Sequence, residues 1–123
     1  MAQIQQLGAT KQILGIVQEK VALSVTVNDT GVQANSFGRK IIPAGTTVGG
    51  ETSALQDEKA VLSVVTDGTA QGVLEHEVDV TDGTASGTMI IHGYINEKRL
   101  PAGVTITEEA KKAMPDVVFF KRN

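Results

Sequence analysis

The side chains best suited to chemistry in this chain are His76, Glu77, Asp79 and His92. Imidazole and carboxylate groups are common metal ligands and common proton carriers in catalysis. Successive residues of an extended chain point to opposite faces, so His76 faces away from Glu77 and Asp79. A small metal-dependent enzyme would need His76 and His92 to converge from neighbouring strands. Histidines in a core or an interface are the favoured interpretation.

Other catalytic groups are missing from the sequence or lack their usual neighbours. The chain has no Cys, which excludes disulfides, thiolate metal sites and cysteine nucleophiles. No Ser lies in a G-x-S-x-G motif, and Gly49-Gly50 lacks the Lys and the Ser or Thr of a phosphate-binding loop. Asp29, Asp67 and Asp82 lie in Gly-containing turn clusters, where Asp has a structural role. The sequence predicts no catalytic site, no cofactor and no bound metal.

Composition limits the possible fold class and the possible binding partners. A length of 123 residues is enough for one domain. The net charge is −3 and the basic residues are scattered, so nucleic acid is not a predicted partner. Val, Thr and Gly are plentiful and aromatic residues are few, which suits short strands and tight turns. The sequence shows neither a signal-peptide pattern nor an apolar run long enough for a membrane span, so no membrane role is predicted.

Residues 72–96 carry the strongest strand signal. Between 74 and 81, apolar residues and His76 alternate with acidic or polar residues, which is the period of a half-buried strand. This alternation predicts that one face of the strand, which includes His76, packs in the core and that the other face, which includes Glu75, is exposed to solvent. Asp82-Gly83 predicts a chain reversal, and the apolar run that follows it predicts a more central strand, with Gly93 at a bulge or close approach.

Two short patterns each occur twice. TDGTAQG at 66–72 and TDGTASG at 81–87 each lie between predicted strands. They predict an antiparallel meander of three strands, 60–65, 73–80 and 88–95. Pro43-Ala44-Gly45 is echoed by Pro101-Ala102-Gly103, which predicts the same turn chemistry in two places.

The remaining segments complete a mainly β fold. Strands are predicted at 21–27 and 117–120, with short extended segments at 39–42 and 46–48. Residues 53–59 are either one helical turn, from the capping-box spacing of Ser53 and Gln56, or a mobile loop.

One short C-terminal helix follows Thr107, which suits an N-cap, and ends before Pro115. The predicted fold is a small barrel-like or sandwich-like β domain at 21–123, with the meander, this helix and an N-terminal arm at 1–20.

The predicted arm has apolar residues that follow neither the helical nor the strand period. A short amphipathic helix or an extra strand is the alternative interpretation. In either case these residues need a surface to cover them, so they are candidates for contact with a partner: Ile4, Leu7, Ile13, Leu14, Ile16 and Val17.

A set of turn and strand residues occurs in a distinctive order and spacing across residues 38–123. Its main members are Pro43, Gly45, Gly72, Asp79, Gly83, His92, Gly93 and Asn96. In this order and spacing the chain resembles the head decoration proteins of tailed bacteriophages, the family related to the lambda head protein D.

The resemblance implies a cement protein that forms homotrimers and binds the major capsid protein. It implies a place on the outer surface of the expanded phage head, in the virion, after synthesis in the cytoplasm of the host bacterium. In such proteins an N-terminal arm can add a strand to the coat protein, and residues 1–20 suit that role by position. A head-fibre or tail-associated binding module is the alternative within the same class of fold.

Overall fold

Pairing between distant strands organises the chain. A computed structural model describes the backbone of residues 16–122 and the side chains of residues 20–122. The strands are β1 (Ile16–Asn28), β2 (Ile41–Ile42), β3 (Thr47–Gly49), β4 (Val61–Val64), β5 (Ala70–Leu74), β6 (Val78–Asp79), β7 (Thr84–Asn96) and β8 (Val117–Phe120). A 3-10 turn (Glu97–Arg99) follows β7, and the helix α1 (Glu108–Ala113) precedes β8.

Five strands close into a barrel in the order β1, β4, β3, β5, β7, and β7 returns to β1. β1 and β7 pair antiparallel, residue for residue, from Ala22 opposite Ile90 to Asn28 opposite Thr84. β4 joins β1 in parallel, and β8 extends the sheet in parallel from the end of β7. The predicted mainly β fold, with a small barrel and one short C-terminal helix, is confirmed.

The first strand pairing of the predicted meander, between 60–65 and 73–80, is wrong. β3 lies between β4 and β5, because Val48 pairs with Val64 on one side and with Gly72 on the other. Only the second step holds, since β5 and β7 are antiparallel neighbours. A turn signal in the sequence is local, so it cannot reveal that a strand from earlier in the chain lies between the two strands it joins.

The two Asp-Gly patterns make different turns. In the first, Ala70 N donates to Asp67 O at 3.2 Å. In the second, Gly83 N donates to Val80 O at 2.9 Å, and Gly83 has a φ of +110° that favours glycine. The reversal predicted at Asp82-Gly83 is therefore present, but the same sequence letters do not give the same geometry twice.

The two Pro-Ala-Gly patterns do make the same turn. Thr46 N donates to Pro43 O at 3.3 Å, and Val104 N donates to Pro101 O at 3.1 Å. Gly45 and Gly103 have φ of +88° and +86°, as the third position of a type II turn requires. The prediction of shared turn chemistry is confirmed.

The predicted strand at 73–80 is interrupted. β5 ends at Leu74, the chain bends at 75–77, and β6 pairs with β2 instead of continuing the barrel strand. The bend exchanges the expected environments of two residues: Glu75 is only 5% exposed, whereas His76 is exposed. Leu74, Val78 and Val80 are buried, as the alternation predicted. The placement of His76 in the core was wrong, because Glu75 N bonds Thr88 O and the Glu75 carboxylate pairs with Lys20 Nζ at 3.0 Å.

Two apolar cores lie on opposite sides of the β5 and β7 wall. The barrel interior contains Val25, Val27, Ile42, Val48, Leu62, Leu74 and Met89. The second core lies between this wall and α1, and it contains Val73, Ile90, Ile95, Ile106, Ala110 and Val117. α1 begins as predicted, since the Thr107 hydroxyl accepts from Ala110 N at 3.2 Å and Ala110 is fully buried.

β1 begins five residues before the predicted strand start, at Ile16. The boundary placed at residue 20 therefore falls inside a strand, where Ile16 lies opposite Tyr94 and the register shifts before Ala22. The segment at 53–59 contains a helical turn, because Asp57 N donates to Ser53 O at 3.0 Å. None of the helices in the described part of the chain is long and apolar enough to cross a membrane.

Replacing Gly72 with Ala should destabilise the barrel. The new Cβ would lie 2.6 Å from the backbone oxygen of Ile90 and would also collide with the Met89 side chain. Overpacking of this kind costs about 1–3 kcal/mol of unfolding free energy. Gly68→Ala is the matched control, since a Cβ there meets no atom within 4 Å. In urea unfolding only Gly72→Ala should lower the midpoint; equal midpoints would contradict the close approach of β5 and β7.

Candidate functional site

The residues that carry the family resemblance do not form one cluster. They lie in turns, at close contacts and at a cap, and several of them hold parts of the domain together. The turn at 43–46 is an example: Gly45 N donates to Leu74 O, and Leu74 N donates to Thr46 O. A Cβ at Gly45 would collide with the Leu100 side chain, so this turn packs directly against the segment that carries the second Pro-Ala-Gly turn.

Asn96 fastens the C-terminal segment to the end of β7. It is 2% exposed, and its side-chain oxygen accepts from Lys98 N at 3.0 Å and from Arg122 N at 3.1 Å. Its amide group donates to Arg122 O. One buried side chain therefore caps the 3-10 turn and pairs with the residue beyond β8, which keeps β8 in register beside β7.

The two histidines lie in different settings. His76 is in the exposed bend at 75–77, while His92 is in β7 opposite Val21. Gly93 lies between Tyr94, which is opposite Ile16, and His92, which is opposite Val21, and the register of β1 and β7 shifts there, as expected of a bulge. Among the side chains that the structure describes, those of residues 20–122, no group of three or more His, Asp or Glu could hold a metal ion.

Sequence reasoning missed the most exposed apolar side chain of the described region. Phe37 is 87% exposed and lies in the loop between β1 and β2. Asn35 to Gly38 form a turn, since Gly38 N donates to Asn35 O, but a turn pattern in a sequence does not tell whether its aromatic residue folds back or points outward. Four other large apolar side chains are also exposed: Val21, Leu55, Val61 and Val118.

The loop around Phe37 is closed by its own hydrogen bonds. The Asn35 side-chain oxygen accepts from Phe37 N at 2.9 Å and from Arg39 N at 3.1 Å. Asn35 N donates to Arg39 O at 2.8 Å, and Gly38 N donates to Asn35 O at 3.0 Å. Gly38 has a φ of +77°, which glycine adopts without steric cost. We call residues 35–39 the Phe37 tip.

Two ion pairs hold the base of the β1–β2 loop: one joins the two ends of the loop, and the other ties the loop to β6. Arg39 binds the Asp79 carboxylate through Nε and Nη2, and Lys40 Nζ lies 2.7 Å from Asp29 Oδ2. The other oxygen of Asp79 accepts from Thr81 N at 3.0 Å. Hydrogen bonds from Thr81, and then from Arg39, lower the pKa of Asp79 from 3.8 to about 2. A hydrogen bond from Lys40 likewise lowers the pKa of Asp29.

A groove lies beside the paired Pro-Ala-Gly turns. Its volume is about 340 Å³, and its walls come from the β1–β2 loop, the turn at 43–46, the end of β4 and residues 103–105. The apolar side chains of the lining are aliphatic or Pro: Val32, Ile41, Ile42, Pro43, Val64 and Val104. The Pro-Ala-Gly echo in the sequence was the only signal for this groove, and it indicated two turns rather than their contact.

No known protein-family model matches this chain, and no curated protein sequence matches it. The assignment of function therefore depends on the residues and on the geometry described above. Of the predicted arm residues, Ile16 and Val17 lie in β1, whereas Ile4, Leu7, Ile13 and Leu14 lie outside the described residues. The described surface offers an apolar tip with paired charges beside it, and an apolar groove.

Replacing Asp79 with Asn should lower stability at neutral pH, because the charged acceptor of Thr81 and Arg39 is lost. The folded pKa is depressed, so this contribution is present above pH 3.8 and disappears as the pH falls through about 2. Denaturant midpoints of wild type and variant should therefore converge on acidification. Asp82→Asn, in the adjacent turn, makes the same change of charge and is the control. A difference that persists unchanged at pH 2 would contradict the assigned role of Asp79.

Proposed function

We propose that this protein is a capsid decoration (cement) protein of a tailed bacteriophage. It binds the major capsid protein on the outer surface of the expanded head as a homotrimer, and it stabilises the shell. The observation that carries the proposal is the order and spacing of the resemblance residues from Pro43 to Asn96. They have structural roles in a single small domain: the turn at Gly45, the close approach at Gly72, the loop anchor at Asp79 and the clamp at Asn96.

The physical features of the barrel support a role in binding. Phe37 and Leu55 are exposed on separate loops, at 87% and 64%. Apolar side chains of this kind gain about 1.5–3 kcal/mol each when a partner covers them. A ligand that binds only the assembled shell stabilises it by mass action, and many copies on one shell multiply modest contacts. The proposal therefore needs no tight single contact.

The chain ahead of the barrel is the proposed capsid contact. β1 starts at Ile16 and is paired with β7, so residues up to 15 precede the barrel wall. In this proposal the apolar residues Ile4, Leu7, Ile13 and Leu14 add a strand to the coat protein. Backbone hydrogen bonds supply the affinity in such a contact, and alternate side chains supply the specificity.

Purified protein should co-sediment with expanded, undecorated capsids of its own phage and should raise their resistance to heat and to chelator. Absence of binding to these capsids would contradict the proposal. Binding to isolated tails instead would favour the tail-associated alternative.

Replacing Ile13 and Leu14 together with Ser should weaken capsid binding by about tenfold or more, since two buried aliphatic side chains are lost. Gln5→Ser with Gln6→Ser is the matched control in the same segment, and it should bind as wild type does. A larger deletion removes residues 1–15 and leaves β1 intact. Removal of residues 1–20 would also remove part of β1, so a loss of binding could not be separated from a loss of folding. Equal affinity of wild type and both apolar-segment variants would exclude this segment as the contact.

A further inference from the structure

The Phe37 tip has the features of a preformed binding anchor. Its phenyl ring is 87% exposed, yet the loop that carries it is closed by four hydrogen bonds among Asn35, Phe37, Gly38 and Arg39. An exposed aromatic side chain on an ordered loop loses little conformational freedom when it binds, so more of its burial energy appears as affinity. The neighbours Ser36 and Gly38 are small, so they leave the ring accessible from either side.

The charges next to the tip are already neutralised. Arg39 is held by Asp79, and Lys40 is held by Asp29. Insertion of Phe37 into an apolar site would therefore carry no unpaired charge out of water. Desolvation of an unpaired charge is the cost that most often opposes such insertion.

The groove beside the Pro-Ala-Gly turns has the complementary chemistry. Its described lining consists of aliphatic residues, Pro, Gly and Thr, with no charged side chain. Its volume of about 340 Å³ leaves room for a phenyl ring, since an apolar cavity of roughly 150 Å³ accepts benzene. The threonines at its rim, Thr46, Thr66 and Thr105, supply polar groups around an apolar floor, which is the usual anatomy of a protein interface.

Tip and groove are adjacent parts of one loop region, but the tip does not fill the groove of its own chain. Gly31 and Val32 line the groove ahead of the tip, and Ile41 to Pro43 line it after the tip. The exposure of Phe37 shows that its ring points away from these walls. A protruding group and a matching pocket on the same molecule produce a head-to-tail contact between copies.

We propose that Phe37 of one copy inserts into the groove of a second copy, against Val32, Pro43 and Val104. The contact is heterologous, because the tip and the groove are different surfaces. Such contacts close into a ring when the rotation between copies permits it. This inference relies on the proposed function for one point only, which is that three copies form the ring. Self-association is measured without capsids, so the two proposals can fail separately.

The first experiment measures the mass of the full chain across a concentration series, by sedimentation velocity and native mass spectrometry. Wild type should associate, and Phe37→Ser should weaken association by about tenfold or more, the equivalent of roughly 1.4 kcal/mol or more. Leu55→Ser removes another exposed apolar side chain from a different loop and should leave association unchanged. A wild-type monomer at millimolar concentration, or an oligomer that survives Phe37→Ser, would overturn the proposal.

The second experiment separates the tip from the groove. Val104→Glu places a carboxylate in the groove, and Thr105→Arg at the exposed rim serves if Val104→Glu fails to fold. At a concentration where wild type associates, the groove variant and Phe37→Ser should each remain monomeric when alone, but an equal mixture should form one-to-one pairs, since one copy supplies the tip and the other the groove. A mixture that stays monomeric would contradict insertion between copies.

The absence of native Cys allows a direct test of proximity. Copies with Ser36→Cys mixed with copies carrying Thr46→Cys should form a disulfide between chains under mild oxidation. Glu58→Cys, on the loop before β4, is the control acceptor and should not form it. If Thr46→Cys instead couples to a Cys placed at Gln5 of the same chain, the groove holds the chain's own N-terminal segment and the proposal fails.

Discussion

Pairing between β1 and β7 is the constraint on which the other elements depend. The two strands meet residue for residue over 22–28 and 84–90, and this pairing converts an open sheet into a closed barrel. Closure removes the unpaired edges that would otherwise attract other strands. It also fixes Leu74, Met89, Val25 and Val27 around one interior core, and it leaves the outer side of β5 and β7 for α1 to cover.

Closure of the barrel also holds the surface loops in place. The β1–β2 loop leaves the barrel at Asn28. The Lys40 and Asp29 pair joins the two ends of this loop, and the Arg39 and Asp79 pair ties it to β6. The turn at Gly45 is bonded to the end of β5 and packs on Leu100. Binding groups can thus be presented without a loss of order on contact. This is how a small β domain can act through its surface, whether the partner is a capsid or another copy.

Local sequence patterns predicted local structure well. Both Pro-Ala-Gly turns, the reversal at Gly83 and the Thr107 cap follow from residues within one turn of each other. Long-range features were not predictable in this way. Glu75 is buried because Lys20 reaches it from 55 residues away, and β3 separates β4 from β5 although no turn signal indicates it. The candidate binding surface belongs to this second kind, since exposure of Phe37 and contact of the two turns depend on the whole barrel.

Amide hydrogen exchange of the full chain, followed by NMR, tests the dependence on β1 and β7 most directly. If barrel closure holds the fold together, the hydrogen-bonded amides of residues 22–28 and 84–90 should exchange only through global unfolding, with equal free energies of opening. The short β2 and β6 pair, outside the barrel sheet, should exchange earlier. Amides of β1 that exchange much faster than those of β5 and β7 would show that the barrel opens at this seam and would contradict the account.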